Sequence, residues 1–297
     1  MPDDIGLIGY GEVGRIFSRG LQQPGGRPVH AWDLQFADPG VRDAALQHAR
    51  DHGVQACASA AALCSASSLV ISAVTASNTL AVAQEAARHL RPGTFFLDLN
   101  SASPGTKAQC AALIDAAGGH YVEAGVMTSV PPYGIRVPML LGGAKAAELA
   151  AVLNAWGMDA KPVAEQIGVA SAIKMCRSVM IKGLEALVIE SYTTARAYGV
   201  EGHMLPTLYE TFPGIDWNRQ GAYFFSRVAQ HGKRRAEEMR ESANTVLEAG
   251  FTPTMAAAIA DKHDGVARQA RAGVFAGLDK DAPWQDYADR LLQARQR

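Results

Sequence analysis

The sequence is short of the features that mark specialised protein classes. Only four of its 297 residues are cysteines, Cys57, Cys64, Cys110 and Cys176. They lack the close pairing that metal sites use, and a chain this long can bury a full core without a disulfide framework. Reduced thiols and no metal centre are therefore expected. An excess of one charge is missing too. Lys+Arg number 28 against 29 Asp+Glu, for a formal net charge of -1, so nothing favours nucleic acid or an anionic membrane surface as a partner. No apolar run reaches the roughly 18 residues of a membrane-spanning helix. The first strand is expected to start at Ile5, so no signal peptide is expected. Internal repeats and low-complexity tracts are absent as well. A cytoplasmic globular protein with a small-molecule partner is the expectation.

What is present begins at the N-terminus. Ile5-Gly-Leu-Ile-Gly9-Tyr-Gly11-Glu-Val-Gly14 is a wholly apolar segment running into three spaced glycines. Helical spacing of Val13, Ile16, Phe17 and Leu21 follows. In this arrangement the first glycine permits a tight turn, the second lets backbone approach a pyrophosphate, and the third lets the helix pack on the strand. The helix N-terminus then holds the anion. Gly9, Tyr10, Gly11, Glu12, Val13 and Gly14 are thus the candidate dinucleotide cradle. A second strand, Val29 to Trp32, ends on Asp33. An acid there accepts hydrogen bonds from ribose hydroxyls and repels a 2′-phosphate, which favours NAD without excluding NADP. The same aspartate also suits a turn or cap. Val74 and Thr75 follow the strand at Leu69 to Val74, where open α/β sheets place ligand-contacting loops.

Between these landmarks apolar strands alternate with helical segments: Thr94 to Leu97, His120 to Ala124, Pro138 to Leu141 and a short one containing Pro162. Ser103-Pro104 reads as an N-cap with proline at the first helical position. The pattern changes at Gly168, beyond which one long helical run reaches Gly199 and only helices follow. The expected fold is α/β, a Rossmann-type doubly wound sheet over 1–167, with an all-α domain over 168–297 joined to it by the long helix. Trp217 and Tyr223-Phe-Phe are expected in its core or at a subunit contact. Near the start of the long helix stands Lys174. A lysine beside a bound cofactor and partly desolvated serves as a general acid or base, while a snorkelling surface lysine is the bland alternative.

Four stretches resemble the β-hydroxyacid dehydrogenase family, relatives of 3-hydroxyisobutyrate and 6-phosphogluconate dehydrogenases. They are the glycine motif, Asp98-Leu-Asn-Ser101-Ala-Ser-Pro104, Glu123-Ala-Gly-Val-Met-Thr-Ser129 before Gly142-Gly143, and Gly168-Val-Ala-Ser-Ala-Ile-Lys174. The resemblance implies that Lys174 is the general acid/base and that Asn100 and Ser101 contact nicotinamide and substrate. It further implies that Met127, Thr128 and Ser129 grip the substrate carboxylate, and that the protein is a homodimer. Asn100 and Ser178 are then expected to bond the reacting hydroxyl. Two positions depart from the family pattern. Met127-Thr128-Ser129 replaces a serine followed by two glycines, and Ser178 replaces an asparagine four residues after the lysine. Both departures suggest a bulkier or differently shaped substrate than a three- or four-carbon hydroxyacid.

Further on, His231, Arg235, Glu238 and Ser242 recur at spacings of four, three and four, one helical face. This segment resembles a branch of the superfamily with its own terminal domain, and the face either closes the substrate cleft through His231 and Arg235 or is simply solvated. The expected activity is hydride transfer between a nicotinamide and a hydroxyacid-like substrate. Imine reduction or oxidative decarboxylation of a larger sugar acid on the same fold, and a dinucleotide sensor without turnover, are the alternatives.

Overall fold

A computed structural model describes residues 4–22 and 27–295. Of the loop read at Pro24 to Pro28, positions 24–26 lie outside the described residues. The chain divides into two compact units, 1–175 and 176–297.

In the first unit eight strands form one sheet. They are β1 (Ile5–Ile8), β2 (Val29–Trp32), β3 (Gln55–Ala56), β4 (Leu69–Ser72), β5 (Phe95–Asp98), β6 (His120–Val126), β7 (Pro138–Gly142) and β8 (Asp159–Ala164), in the order β3-β2-β1-β4-β5-β6-β7-β8. The first six run parallel. Strand β7 is antiparallel to β6, and β8 is parallel to β7. The helices between them are α1 (Glu12–Leu21), α2 (Arg42–Asp51), α3 (Ala60–Ala66), α4 (Thr79–Ala87), α5 (Pro104–Ala116) and α6 (Ala146–Ala155). All four residues of β1 and of β4 are buried, the mark of parallel strands covered on both faces. Strand order reverses between β1 and β4, the position at which open α/β sheets bind their ligands. The doubly wound sheet is as expected. Strand β3, two residues long, and the reversed direction of β7 are additions to the sequence reading.

Helix α5 shows how local signals place the functional loops. Ser103 caps it, its hydroxyl accepting from the Thr106 N–H at 3.2 Å, and Pro104 occupies the first turn. The cap is worth about 1 kcal/mol and the proline's missing N–H costs nothing there. The segment between Asp98 and Ser103 is consequently pinned at both ends.

Helix α7 (Val169–Tyr198) starts in the first unit and ends in the second, which also holds α8 (Glu201–Thr211), α9 (Trp217–Glu248), α10 (Thr254–Arg271) and α11 (Trp284–Arg295). The core of the second unit is aromatic. Tyr192, Trp217, Phe224, Phe225, Trp284 and Tyr287 pack together there, whereas Tyr223 is half-exposed. Helix α9 kinks at His231 (φ −128°, ψ 16°). Next to it Gly232 lies so close to α10 that a Cβ would stand 2.9 Å from the His263 carbonyl oxygen. None of the helices among the described residues is long and apolar enough to cross a membrane.

Candidate active site

The three glycines after β1 have separate physical reasons. Gly9 adopts φ +102°, and a Cβ there would sit 2.3 Å from the Ala73 carbonyl oxygen. At Gly14 a Cβ would meet the Gly9 carbonyl oxygen at 2.0 Å, so the helix packs directly on the turn. Gly11 is different, because a Cβ there would meet nothing within 4 Å. The protein leaves that space open at the N-terminus of α1, where Gly11 supplies no side-chain cap to the first N–H groups. Open space against uncapped N–H donors is what a pyrophosphate fills. The residues present fit a dinucleotide.

Asp33 follows β2 on the same edge of the sheet. Its Oδ2 accepts from the Tyr10 N–H at 2.6 Å and its Oδ1 from the Gln35 N–H at 2.8 Å. It therefore caps the 3-10 turn Leu34–Phe36 and is tied to the glycine turn. The carboxylate is fixed in place with a lone pair on each oxygen still to offer, so the cap and the ribose contact are compatible.

After β4 and β5 the chain forms one hydrogen-bonded unit. The Asn100 side chain takes the Val74 N–H on its Oδ1 at 2.7 Å and donates from Nδ2 to Ser72 Oγ at 2.9 Å. Asn100 is 3% exposed. It thereby braces the β4 loop, with Val74 and Thr75, against the β5 loop, with a second Nδ2 hydrogen beyond these bonds. Thr75, exposed, takes the Asn78 side-chain amide on its hydroxyl at 2.9 Å. Beneath lies Asp98. Lys107 Nζ pairs with its Oδ1 at 3.0 Å and donates to its carbonyl at 3.1 Å. The Tyr121 hydroxyl donates to Oδ2 at 2.6 Å, and the Asn100 N–H to Oδ1 at 2.9 Å. Burial, with the Asp98 charge beside it, pushes the Tyr121 hydroxyl well above its ordinary pKa, so it stays a donor.

Ser101, next in the chain, meets Lys174, whose Nζ donates to Ser101 Oγ at 2.6 Å. Both side chains are half-buried. A hydroxyl that accepts from an ammonium turns its own proton outward, so the pair presents two donors to an oxygen placed beside it. Glu123 lies midway along β6. It is fully buried, and its carboxylate accepts from the N–H groups of Gly168, Ala170 and Ser171 at 2.7, 3.1 and 3.3 Å. A strand residue thus caps the helix that carries Lys174. Met127, Thr128 and Ser129 follow β6 directly, with the Met127 N–H on the Pro138 carbonyl at 3.0 Å and Thr128 exposed.

Sequence reasoning missed Lys107 and Tyr121 and gave Asp98 and Glu123 no role. The signal for the two acids was an ionisable residue inside an otherwise apolar strand, where burial demands partners.

In the second unit the face from His231 to Ser242 is not simply solvated. Arg235 is 8% exposed and its guanidinium grips Glu185 through both Nε, at 2.7 Å, and Nη2. The guanidinium expected to meet a substrate carboxylate or phosphate is thus paired with a carboxylate of its own unit. Lys182 pairs with Glu238 at 2.9 Å and donates to Ser178 Oγ at 3.2 Å. Ser242 is buried and donates to the Glu238 carbonyl. His231 stands at the kink, half-buried. Among the described residues no group of three or more His, Cys, Asp or Glu side chains has the arrangement of a metal site.

The doubly wound sheet with its glycine turn at the switch point is that of an NAD(P)-dependent oxidoreductase resembling the 3-hydroxyacid dehydrogenases. The chain belongs to the family of the NAD binding domain of 6-phosphogluconate dehydrogenase, whose model matches residues 4–164. Residues 195–266 match a domain of unknown function, DUF1932. A conserved hypothetical protein from Sinorhizobium meliloti 1021 is 38% identical, with 99% of this chain and 97% of that one covered and a TM-score of 0.76. The conserved protein MTH1747, of unknown function and structurally similar to 3-hydroxyacid dehydrogenases, is 31% identical over 90% of this chain and 99% of its own, with a TM-score of 0.66. The 3-hydroxyisobutyrate dehydrogenase of Mycobacterium tuberculosis, solved with L-serine, shares the fold at a TM-score of 0.72 and 19% identity, covering 98% and 99% of the two chains.

Proposed function

We propose that the protein interconverts the hydroxyl and carbonyl forms of a 3-hydroxyacid-like substrate, with Lys174 as general acid/base. The observation that carries this reading is the Lys174 Nζ to Ser101 Oγ contact at 2.6 Å, made beside strand ends that also bear the dinucleotide cradle. Bound NAD(P) supplies the hydride acceptor or donor. In oxidation Lys174 takes the hydroxyl proton, and in reduction it returns it. Ser101 donates to the same oxygen and fixes its distance from Nζ. Thr128 and Ser129, with the backbone N–H groups of their loop, orient the acid group of the substrate, and Met127 shapes the pocket beside them. Ser178 stands one turn beyond Lys174 in α7. Its oxygen already accepts from Lys182, so its own proton is the one to offer a substrate. Asp33, already oriented by two backbone N–H groups, holds the adenosine ribose and makes NAD the preferred coenzyme.

The protein is further read as a cytoplasmic homodimer, and a light-scattering mass equal to one chain would contradict the dimer. The functional test is a panel of 3-hydroxyacids, sugar acids and cyclic imines assayed with NAD and NADP in parallel by nicotinamide absorbance. Turnover of a 3-hydroxyacid with NAD preferred is the expected result. Turnover of cyclic imines or sugar acids alone would move the protein to another chemistry. Dinucleotide binding with no turnover on any member would make it a sensor.

A further inference from the structure

Asp98 and Glu123 are direct partners in the β5–β6 register, and both are fully buried. Carboxylates directly opposite on adjacent strands repel one another unless each finds its own compensation. Asp98 finds it in Lys107, Tyr121 and the Asn100 N–H, which places Ser101. Glu123 finds it in the N–H of Gly168 just ahead of α7 and those of Ala170 and Ser171 in its first turn, which places Lys174. The arrangement is not local capping. Residue 168, ahead of the helix, is a glycine at φ +102° with no side chain to offer, so the start of α7 is tied to the sheet instead.

Two neighbouring glycines show that the fold makes room for this tie. A Cβ at Gly142 would stand 2.5 Å from Glu123 Oε1, so β7 is cut away around the carboxylate. A Cβ at Gly125 would stand 2.8 Å from the Ala170 carbonyl oxygen and 3.6 Å from Lys174 Cβ, so α7 rests on the β6 backbone two residues beyond Glu123. Strand β6 therefore fixes both the height of the helix and its first turn. Lys174 lies one turn after Ala170.

We propose that Glu123 is a positioning residue of the reaction: its grip on the first turn of α7 sets where Lys174 Nζ stands relative to Ser101 Oγ. This rests on the reading of Lys174 as the acid/base. Glu123 bonds the N–H groups of Gly168, Ala170 and Ser171, so its effect on the reaction is carried through the start of α7.

The test uses Glu123→Gln, which keeps the shape and one acceptor oxygen, and Gly142→Ala, which displaces the carboxylate without removing its charge. Each is expected to lower kcat by about 10- to 100-fold, as small misplacements of a reacting group do, with dinucleotide Kd within about twofold of the parent. Crystal structures of the variants should show the Lys174–Ser101 contact opened beyond hydrogen-bond distance. In a Ser101→Ala background, where the contact is already gone, the same changes should cost less than about threefold more. A wild-type kcat per folded site in both variants, an unchanged contact in their structures, or losses that multiply fully with Ser101→Ala would overturn the inference. Lys174→Ala, run alongside, separates the two claims. If it leaves turnover intact, the acid/base reading fails. If it abolishes turnover while Glu123→Gln and Gly142→Ala behave as wild type, only the positioning role fails.

Discussion

In the first unit the buried carboxylates of Asp98 and Glu123 direct four of their bonds to backbone N–H groups, whereas in the second Glu185 and Glu238 are matched to the side chains of Arg235 and Lys182. The contrast follows from the elements that carry them. A parallel sheet is flanked by loops and helix starts whose backbone donors lack partners, so an acid on a strand can organise them. Helices satisfy their own interior backbone, and a charge buried between them has only other side chains to meet. The first arrangement fixes loops, and with them a site. The second joins α7, α9 and α10, and its exchange of partners is confined to the helices themselves.

The largest effect that would break this comparison belongs to Arg235→Met. It strands Glu185, whose side chain is 0% exposed, and removal of one member of a buried pair costs about 3 to 5 kcal/mol. Urea denaturation should show that loss, and Arg235→Met with Glu185→Leu should recover most of it. A single variant as stable as the parent would mean that the charge network in the second unit is incidental.

A smaller effect sharpens the same point through pH. His263 in α10 is fully buried, with neither ring nitrogen hydrogen-bonded, 3.8 Å from Glu185. Burial first, then Arg235 and Lys182, push its pKa down to about 3, against a weaker upward pull from Glu238 and Asp264. The unfolded chain binds a proton near pH 6.5 that the folded protein refuses until about pH 3. Stability on this account is complete above the unfolded value and falls as pH falls through that window. Between pH 7 and 5 the loss from this one group is on the order of 2 kcal/mol. His263→Leu should flatten the profile by that amount. A profile unchanged by the substitution would show that the ring is not held neutral.

Legibility in the sequence divides along the same line. The glycine turn, Asp33, the Ser103-Pro104 cap and the lysine helix are written in spacings of a few residues, and each lies where the pattern put it. Strand β3 has two residues, too few to show a period. The reversal of β7 is a matter of chain direction, which periodicity does not encode. The partners of Glu123 lie 45 to 48 residues away, so an acid in a strand could be seen but not what it would cap. The face from His231 to Ser242 shows in the sequence as helical spacing and a resemblance, neither of which reports burial. Its burial comes from the close approach of α10 at Gly232 and from Glu185 in α7, neither of which is local.

The proton partner supplied by α7 is the central assignment, and turnover by Lys174→Ala tests it most directly. With the 3-hydroxyacid that the wild type turns over best, the variant should bind NAD with unchanged affinity and lose about 10²- to 10⁴-fold in kcat, the range typical of general acid/base catalysis. Wild-type turnover by that variant would contradict the assignment.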